Sequence, residues 1–498
     1  MCPLSPPLNQ CLLFFSNTVL LYRLSKWFPT IALCIIMSIN TSASDDFNKK
    51  SCNGSLTDAF FNVIVPNGED PWVYKHTDGT YYLSRSTDGH ISLWKSPYLT
   101  TLHAGVSKTV WKPPQKGSAS KHIWAPEIHF INNKWYIYFA ATDGLNERHR
   151  MYVLENNNSD PFEGQFVLKG KIYDPADDRW AIDGTIFENQ KKLYFVWSGW
   201  EGNQDIRQIL YIAPMENPWT LSGHRIEISR PSYDWEKSGH PHVNEGPQIL
   251  CHNDFIYIIY SANRSWTDFY CLGLLSARAR SNLLEPSSWK KNLQPVFRSD
   301  NGLFAPGHAS FVKSPDKKED WIVYHTARFQ GAGWTRNIRI QPYSWLPSGM
   351  PFFGSPMHPN TLIKIPGGEP VRRRYEAETA QLGGLAKVAR HMNASGGAKV
   401  GQIDNAESFI KFVVNVEATG TYIIGVRFGN GTGRRSTHHI TINGNDPTVV
   451  NYPNGMWDNW SNTCLPVDLN AGTNTIRFNK GEGLAEIDCI DVVMVDAG

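Results

Sequence analysis

Three carboxylates stand in contexts that suit acid–base chemistry: Asp70 in PNGEDPWV, Asp183 in WAIDGTIF and Glu245 in VNEGPQIL. Each precedes a polar turn followed by an aromatic run, by eight, six and seven residues respectively, counting to Asp78, Asn189 and His252. Cleaving a glycosidic bond calls for this combination: one carboxylic acid protonates the leaving oxygen while a carboxylate activates water or attacks the sugar. Taken singly, each acid next to Gly or Pro also fits a turn cap. The recurrence of one setting in three places favours a shared site.

The elements that must position these groups form a repeat. A polar turn and an alternating aromatic run recur at residues 78–87 (DGTYYLSRST), 132–142 (NNKWYIYFAAT), 189–199 (NQKKLYFVWSG), 252–262 (HNDFIYIIYSA) and 317–327 (KKEDWIVYHTA). Aligning Tyr81, Trp135, Leu193, Phe255 and Trp321 gives separations of 54, 58, 62 and 66 residues. Such runs bounded by turns are strand signals, and a unit of this length holds about four short strands, one propeller blade. The chain is therefore expected to be all-β, with a five-bladed β-propeller over residues 58–365 whose innermost strands bring the three acids to one central cavity. A β-sandwich with coincidental hairpins is the weaker alternative. Residues 359–374 (PNTLIKIPGGEPVRRR) mark a boundary. Beyond it, residues 375–498 lose the repeat and suit a second domain, a β-sandwich of jelly-roll type. No long amphipathic helix is expected.

Composition narrows the function classes. The chain has 48 Lys and Arg against 46 Asp and Glu, a net charge of +2, and no long basic run, which argues against nucleic acid as a partner. Eighteen Trp residues and 19% charged residues suit a β-rich fold with aromatic surfaces. Arg23 and Lys26 precede an apolar stretch at residues 27–39 and then Thr41, Ser42, Ala43 and Ser44, so residues 1–43 read as a secretory leader. Pro29 and the short run argue against a membrane anchor, although a second apolar patch at residues 12–21 lies upstream. A secreted, extracellular protein with no membrane association after cleavage follows. Disulfides Cys251–Cys271 and Cys464–Cys489 are expected in that setting, with buried free thiols as the alternative and Cys52 left single. Sequons at Asn53, Asn157, Asn263, Asn393, Asn430 and Asn459 suit glycosylation.

The segments DPWV, HIWAPEIHFINNKWYIYFAA, AIDGTIF, EGPQIL and APGHASFV make residues 58–365 resemble glycoside hydrolase family 43. The resemblance implies a five-bladed propeller and an inverting mechanism, with Asp70 as general base, Glu245 as general acid and Asp183 as the residue that orients the acid and tunes its pKa. An inverting pair stands about 6.5–9.5 Å apart to admit water. His308 matches a histidine near the propeller axis that in some members binds an axial metal ion or its water; a structural histidine is the alternative. Trp124 and Pro126 match the wall of the sugar subsite, and Trp94, Trp180 and Trp200 are further aromatic candidates. Residues 375–497 resemble carbohydrate-binding modules of families 6 and 35 through YEAE, SGGAKVG, GTYIIGVRF, WDNW and IDCIDVVMV. There Glu376, Glu378 and Asp488 match a structural calcium site, and Trp457 or Trp460 would supply the aromatic platform. Lys399 departs from the pattern where an aromatic is common, and Glu486 where an asparagine is.

The resemblance is nearest the α-L-arabinofuranosidase branch, which implies release of arabinose from plant cell-wall arabinan or arabinoxylan with no cofactor needed for the chemistry; a monomer is expected. A β-xylosidase acting on xylan or an endo-arabinanase would use the same scaffold. A catalytically silent carbohydrate-binding protein is the reading from another class, and the presence of all three carboxylates argues against it. Invertase-type and sialidase propellers are disfavoured because the RDP and S-x-D-x-G-x-x-W motifs are absent.

Overall fold

The computed structural model describes residues 54–496. The expected leader at residues 1–43, with Cys2, Cys11 and Cys34, lies outside them, as do Cys52 and Asn53. The described chain is all-β: its helices are 3-10 turns of three to six residues.

Five antiparallel meanders follow one another. The first contains Trp72–Lys75, Tyr81–Thr87, His90–Ser96 and Val106–Trp111. The second contains Lys121–Ile131, Lys134–Thr142, Arg150–Asn156 and Val167–Ile172. Ala181–Asn189, Lys192–Trp200 and Arg207–Asn217 build the third, and His242–His252, Phe255–Ala262, Cys271–Arg278 and Lys290–Lys291 the fourth. Phe304–Lys313, Asp320–Ala327, Arg336–Trp345 and Pro351–Phe352 complete the series. The repeated aromatic runs are the second strands of these meanders, covered on both faces by their neighbours. That explains their unbroken apolar character: residues 135–142 and 256–262 are buried throughout.

Hydrogen bonds tie each meander to the next. Trp72 Nε1 donates to Ile128 O (2.6 Å), Tyr138 Oη to Pro218 O (2.7 Å), Ser198 Oγ to Asn244 O (2.9 Å) and His308 N to Ser261 Oγ (2.8 Å). The fifth meander returns to the first, where Val73 N donates to Ser310 Oγ (3.1 Å) and Tyr81 Oη to Lys313 O (2.7 Å). Ala59–Phe61 pairs with Leu362–Lys364, joining the two ends of this region.

Residues 372–496 form two further sheets. One carries Arg372–Glu376, Ala398–Gly401, Gly420–Asn430, Met456–Leu469 and Glu486–Asp496, and Ser55–Thr57 adds to its edge. The other runs through Phe409–Val416, Gly472–Lys480 and Ser436–Ile442. Ile410, Phe412, Ile424, Val426, Ile476, Phe478 and Ile490 form their common core.

The expected disulfides do not form, and two of the six sequons are closed to a glycan. Cys251, Cys271, Cys464 and Cys489 are all free thiols. The strand Phe255–Ala262 separates Cys251 from Cys271, and Gly420–Asn430 separates Cys464 from Cys489, each pair flanking a strand that holds them apart. Asn263 and Asn430 are buried, their amides donating to main-chain oxygens of Trp235 and Phe269, and of Arg434 and Tyr452. Neither can carry a glycan, whereas Asn157 is exposed.

Candidate active site

Each meander carries a left-handed residue in its first strand or, for Asp70, just ahead of it. Asp70, Ala125, Asp183 and His308 have φ between 40° and 54°, and Gly246 has φ 54°. Around the last four, strand register slips. A bulge of this kind re-aims side chains out of the strand's alternation, and left-handed non-glycine residues cluster where function over-determines them. The equivalence corrects the sequence-based one: Asp70, Asp183 and His308 share a position, while Glu245 stands one residue earlier because Gly246 occupies the turn.

Asp70 Oδ1 lies 3.2 Å from Arg336 Nη1 and 3.3 Å from Nδ1 of both His308 and His325. Asp70 N also donates to His325 Nδ1 (3.2 Å). Burial alone would raise this carboxyl, but His308, His325 and Arg336 together hold it well below the usual carboxylate range. Oδ2 takes no part in these contacts. His325 is fully buried, and burial pushes its pKa down to about 3.

Glu245 is buried and accepts a hydrogen bond from Tyr270 Oη at Oε1 (2.7 Å). Burial raises its pKa to about 7; Asp70 adds to the rise, and Tyr270 and Arg336 oppose it. Asp183 Oδ2 accepts from Gly246 N (3.1 Å), the residue after Glu245. Burial first, then the charges of Glu245, Asp70 and Glu127, push its carboxyl well above the ordinary value. A Cβ at Gly184 would lie 2.2 Å from the Phe195 ring, so the Asp-Gly pair is required by close packing behind the acid. The arrangement therefore joins one ionised carboxylate to buried carboxyls that retain protons near neutral pH, the division that acid–base hydrolysis needs.

A pocket of about 370 Å³ opens over Asp70, lined also by Glu69, Asp88, His122, Trp124 and Pro126. Trp124 is 38% exposed and stacks on His149 with ring centres 3.9 Å apart. Trp180 is buried behind it, edge-on to His149 and stacked on Trp200. It supports the wall without lining the pocket. Trp94 lies under Arg85 in a neighbouring cleft.

In the C-terminal region Trp460 is fully buried, edge-on to His391, and cannot serve as a platform. Trp457 is half-buried against Gly431. Lys399 and Glu486, the two departures from the module pattern, pair with each other at 2.5 Å. Glu376 and Asp488 converge with Cys489, and Glu378 approaches Glu376 at Gly396. Glu376 Oε2, Glu378 Oε2 and Asp488 Oδ1 are buried without hydrogen-bond partners among the described residues.

Arg336, His325, Tyr270 and Glu127 escaped the sequence analysis. Their side chains meet the acids only across sheets, and no local spacing announces them. Glu127 alone sits in a segment singled out for resemblance; it is buried between Gln248 and His129.

Comparison with known proteins supplies the family. Residues 60–351 match the model of glycosyl hydrolases family 43, and residues 373–495 that of carbohydrate binding module family 35. An extracellular exo-α-(1→5)-L-arabinofuranosidase of Streptomyces avermitilis is 36% identical over 60% of this chain, which spans 64% of that enzyme's length. α-L-Arabinofuranosidase 43 of Humicola insolens is 33% identical over 75% of this chain and 81% of its own. The crystal structure of an α-L-arabinofuranosidase from Lactobacillus brevis, 36% identical, superposes with a TM-score of 0.57 over 61% of this chain and 98% of that one. With its three acids set at left-handed turns in or beside the first strands of their meanders, this chain belongs to glycosyl hydrolase family 43 and joins that domain to a family 35 carbohydrate-binding module.

Proposed function

We propose that the protein is a secreted, inverting α-L-arabinofuranosidase that releases arabinose from arabinan or arabinoxylan. The observation that carries the reading is the opposite tuning of two carboxyls at one site: Asp70 is held ionised, and Glu245 keeps its proton to about pH 7. Asp70 takes a proton from water as the water oxygen bonds to the anomeric carbon. Glu245 gives its proton to the glycosidic oxygen as that C–O bond breaks on the opposite face, so the anomer inverts. Asp183, bonded to Gly246 N, holds the turn that carries Glu245. The names of the relatives support arabinose as the sugar, and the extracellular Streptomyces relative and the leader-like composition support secretion.

The five meanders are read as blades of a five-bladed β-propeller at residues 58–365, supported by the cyclic hydrogen bonds and the five left-handed positions; residues 375–498 are read as a jelly-roll sandwich. Proton NMR of the first-formed sugar from an aryl α-L-arabinofuranoside tests the enzymatic reading. The inverted anomer is expected, and a retained anomer or no hydrolysis would sink it.

Trp124 offers its open face to the sugar's C–H surface. Trp124→Ala is expected to raise KM about tenfold with a smaller change in kcat, the signature of lost binding shared by ground and transition states. In the module, three buried, unpartnered carboxylate oxygens suit a hard cation such as calcium better than the thiol of Cys489, which burial keeps protonated. Added calcium is expected to stabilise the protein by about 2.7 kcal/mol at a hundredfold excess over Kd. A raised Tm in calorimetry, abolished by Asp488→Asn, checks this.

A further inference from the structure

Arg328 follows the second strand of the fifth meander and is buried. Its main-chain N donates to Thr335 O (3.0 Å) and its Nε to Arg336 O (3.1 Å), which closes the base of the 328–335 loop. Its Nη2 donates to Asn67 Oδ1. Gly68 N also donates to Arg336 O (3.2 Å). The two segments joined in this way are those that set the proposed base. Asn67 stands on the turn leading into Asp70, and Arg336 Nη1 reaches Asp70 Oδ1 at 3.2 Å.

The C-terminal module holds the other side of the same arginine. Arg328 Nη1 donates to Asn454 O at 3.5 Å, and Asn459 Nδ2 donates to Arg328 O. The turn that presents these groups is itself fixed. Asn430 Nδ2 donates to Tyr452 O (2.8 Å), Gly455 N to Asn430 O (2.9 Å) and Gly433 N to Asn454 Oδ1 (3.0 Å). Nearby, Asn462 Nδ2 donates to Phe61 O (2.9 Å) and Asn62 O (2.8 Å), so the two parts of the chain are docked at more than one point.

Charge alone does not account for this arginine. The carboxylate of Glu69 acts on Arg328, Arg85 and Arg336, and burial brings the pKa of Arg328 down to about 10, which still leaves it protonated at neutral pH. What Arg328 adds is geometry. A guanidinium holds its donors in a fixed planar fork, and here the three nitrogens meet three separate acceptors: Arg336 O, Asn67 Oδ1 and Asn454 O. We infer that Arg328 is a positioning residue: it fastens the 454–459 turn of the module to both segments that set Asp70, so that the module helps to hold the base against its water. The inference rests on the hydrolase reading, in which Asp70 is that base. A misplacement of about 1 Å at a reacting group costs on the order of a hundredfold in rate, so a modest loosening of this clamp is measurable.

Steady-state kinetics of the full chain on an aryl α-L-arabinofuranoside and on arabinan tests this. Arg328→Lys keeps the charge but cannot span the three acceptors. It is expected to lower kcat about tenfold on both substrates, with KM changed by less than about twofold, because placing the base affects the chemical step and not binding. Added to Arg336→Met, it is expected to cost less than about a further twofold, since both act through Asp70; a merely structural arginine would cost the same factor in either background. Asn459→Ala, which leaves every side chain of the 328–335 loop in place, is expected to lower kcat about threefold with the same pattern. Should circular dichroism find Arg328→Lys unfolded, the cycle with Arg336→Met is run on Asn459→Ala under the same criterion. An unchanged kcat, or a loss that multiplies fully with that of Arg336→Met, would overturn the proposal. So would a loss in Arg328→Lys with none in Asn459→Ala, since the module would then have no part in it. A wild type that fails to hydrolyse either substrate removes the hydrolase reading and this proposal with it, whereas an active wild type with unaffected variants removes this proposal alone.

Discussion

Asp70→Ala is expected to lower kcat by about three to four orders of magnitude on every substrate, whatever its leaving group. The loss arises because water then loses its base: of the three acids only Asp70 is held ionised, while Asp183 and Glu245 are both pushed towards the protonated form. Glu245→Ala is expected to behave differently. Its proton matters only to the departing oxygen, so the defect should be about as large on a polysaccharide linkage and shrink by at least about tenfold on a nitrophenyl arabinofuranoside, whose phenolate leaves without help. Steady-state kinetics on both substrates checks the pair. Equal defects for the two variants on both substrates would remove the division of labour. Loss in neither would remove the site.

The second large effect is on pH dependence. Glu245 must be protonated to act and its pKa is about 7, so activity should fall above pH 7, about tenfold per pH unit. Asp70 must be ionised, and its neighbours hold it so far below the usual range that the acidic limb belongs in strongly acidic solution. Tyr270 donates to Glu245 Oε1 and so favours the charged form. Tyr270→Phe should therefore move the basic limb to higher pH by about one unit, the equivalent of a hydrogen bond to a charged group. Because Tyr270 engages Oε1, the catalytic proton is left to Oε2, and the same variant should also lower kcat on the acidic plateau. Asp183 is itself held in the protonated form, so Asp183→Asn removes no charge from the site and should leave the basic limb near pH 7. An upward shift for Tyr270→Phe with little movement for Asp183→Asn is the expected result; a downward shift or none for Tyr270→Phe would contradict the electrostatic account.

Much of the architecture was legible because it is periodic. The aromatic runs at Tyr81, Trp135, Leu193, Phe255 and Trp321 each mark a second strand, since a strand buried on both faces must be written in apolar residues. The break at residues 359–374 was legible for the opposite reason: Pro and Gly interrupt any such run. Cysteine and sequon spelling misled. Pairing two thiols, or attaching a glycan, depends on distance and exposure, and neither is encoded in spacing. Trp460 misled likewise, because an aromatic residue reads the same whether it faces a sugar or the core.

By itself, the sequence determined which acids this protein has and that each leads into a different unit of one repeat; local patterns of turn and strand suffice for that. Only the tertiary structure decided how they differ. Asp70 is ionised because His308, His325 and Arg336 arrive from the last meander, and Glu245 holds its proton because burial outweighs Tyr270. Glu245 also proved to be one residue out of step, with Gly246 taking the left-handed turn that Asp70 and Asp183 occupy elsewhere. Charge states are set by neighbours within a few ångströms, and here those neighbours are more than 200 residues away along the chain for Asp70.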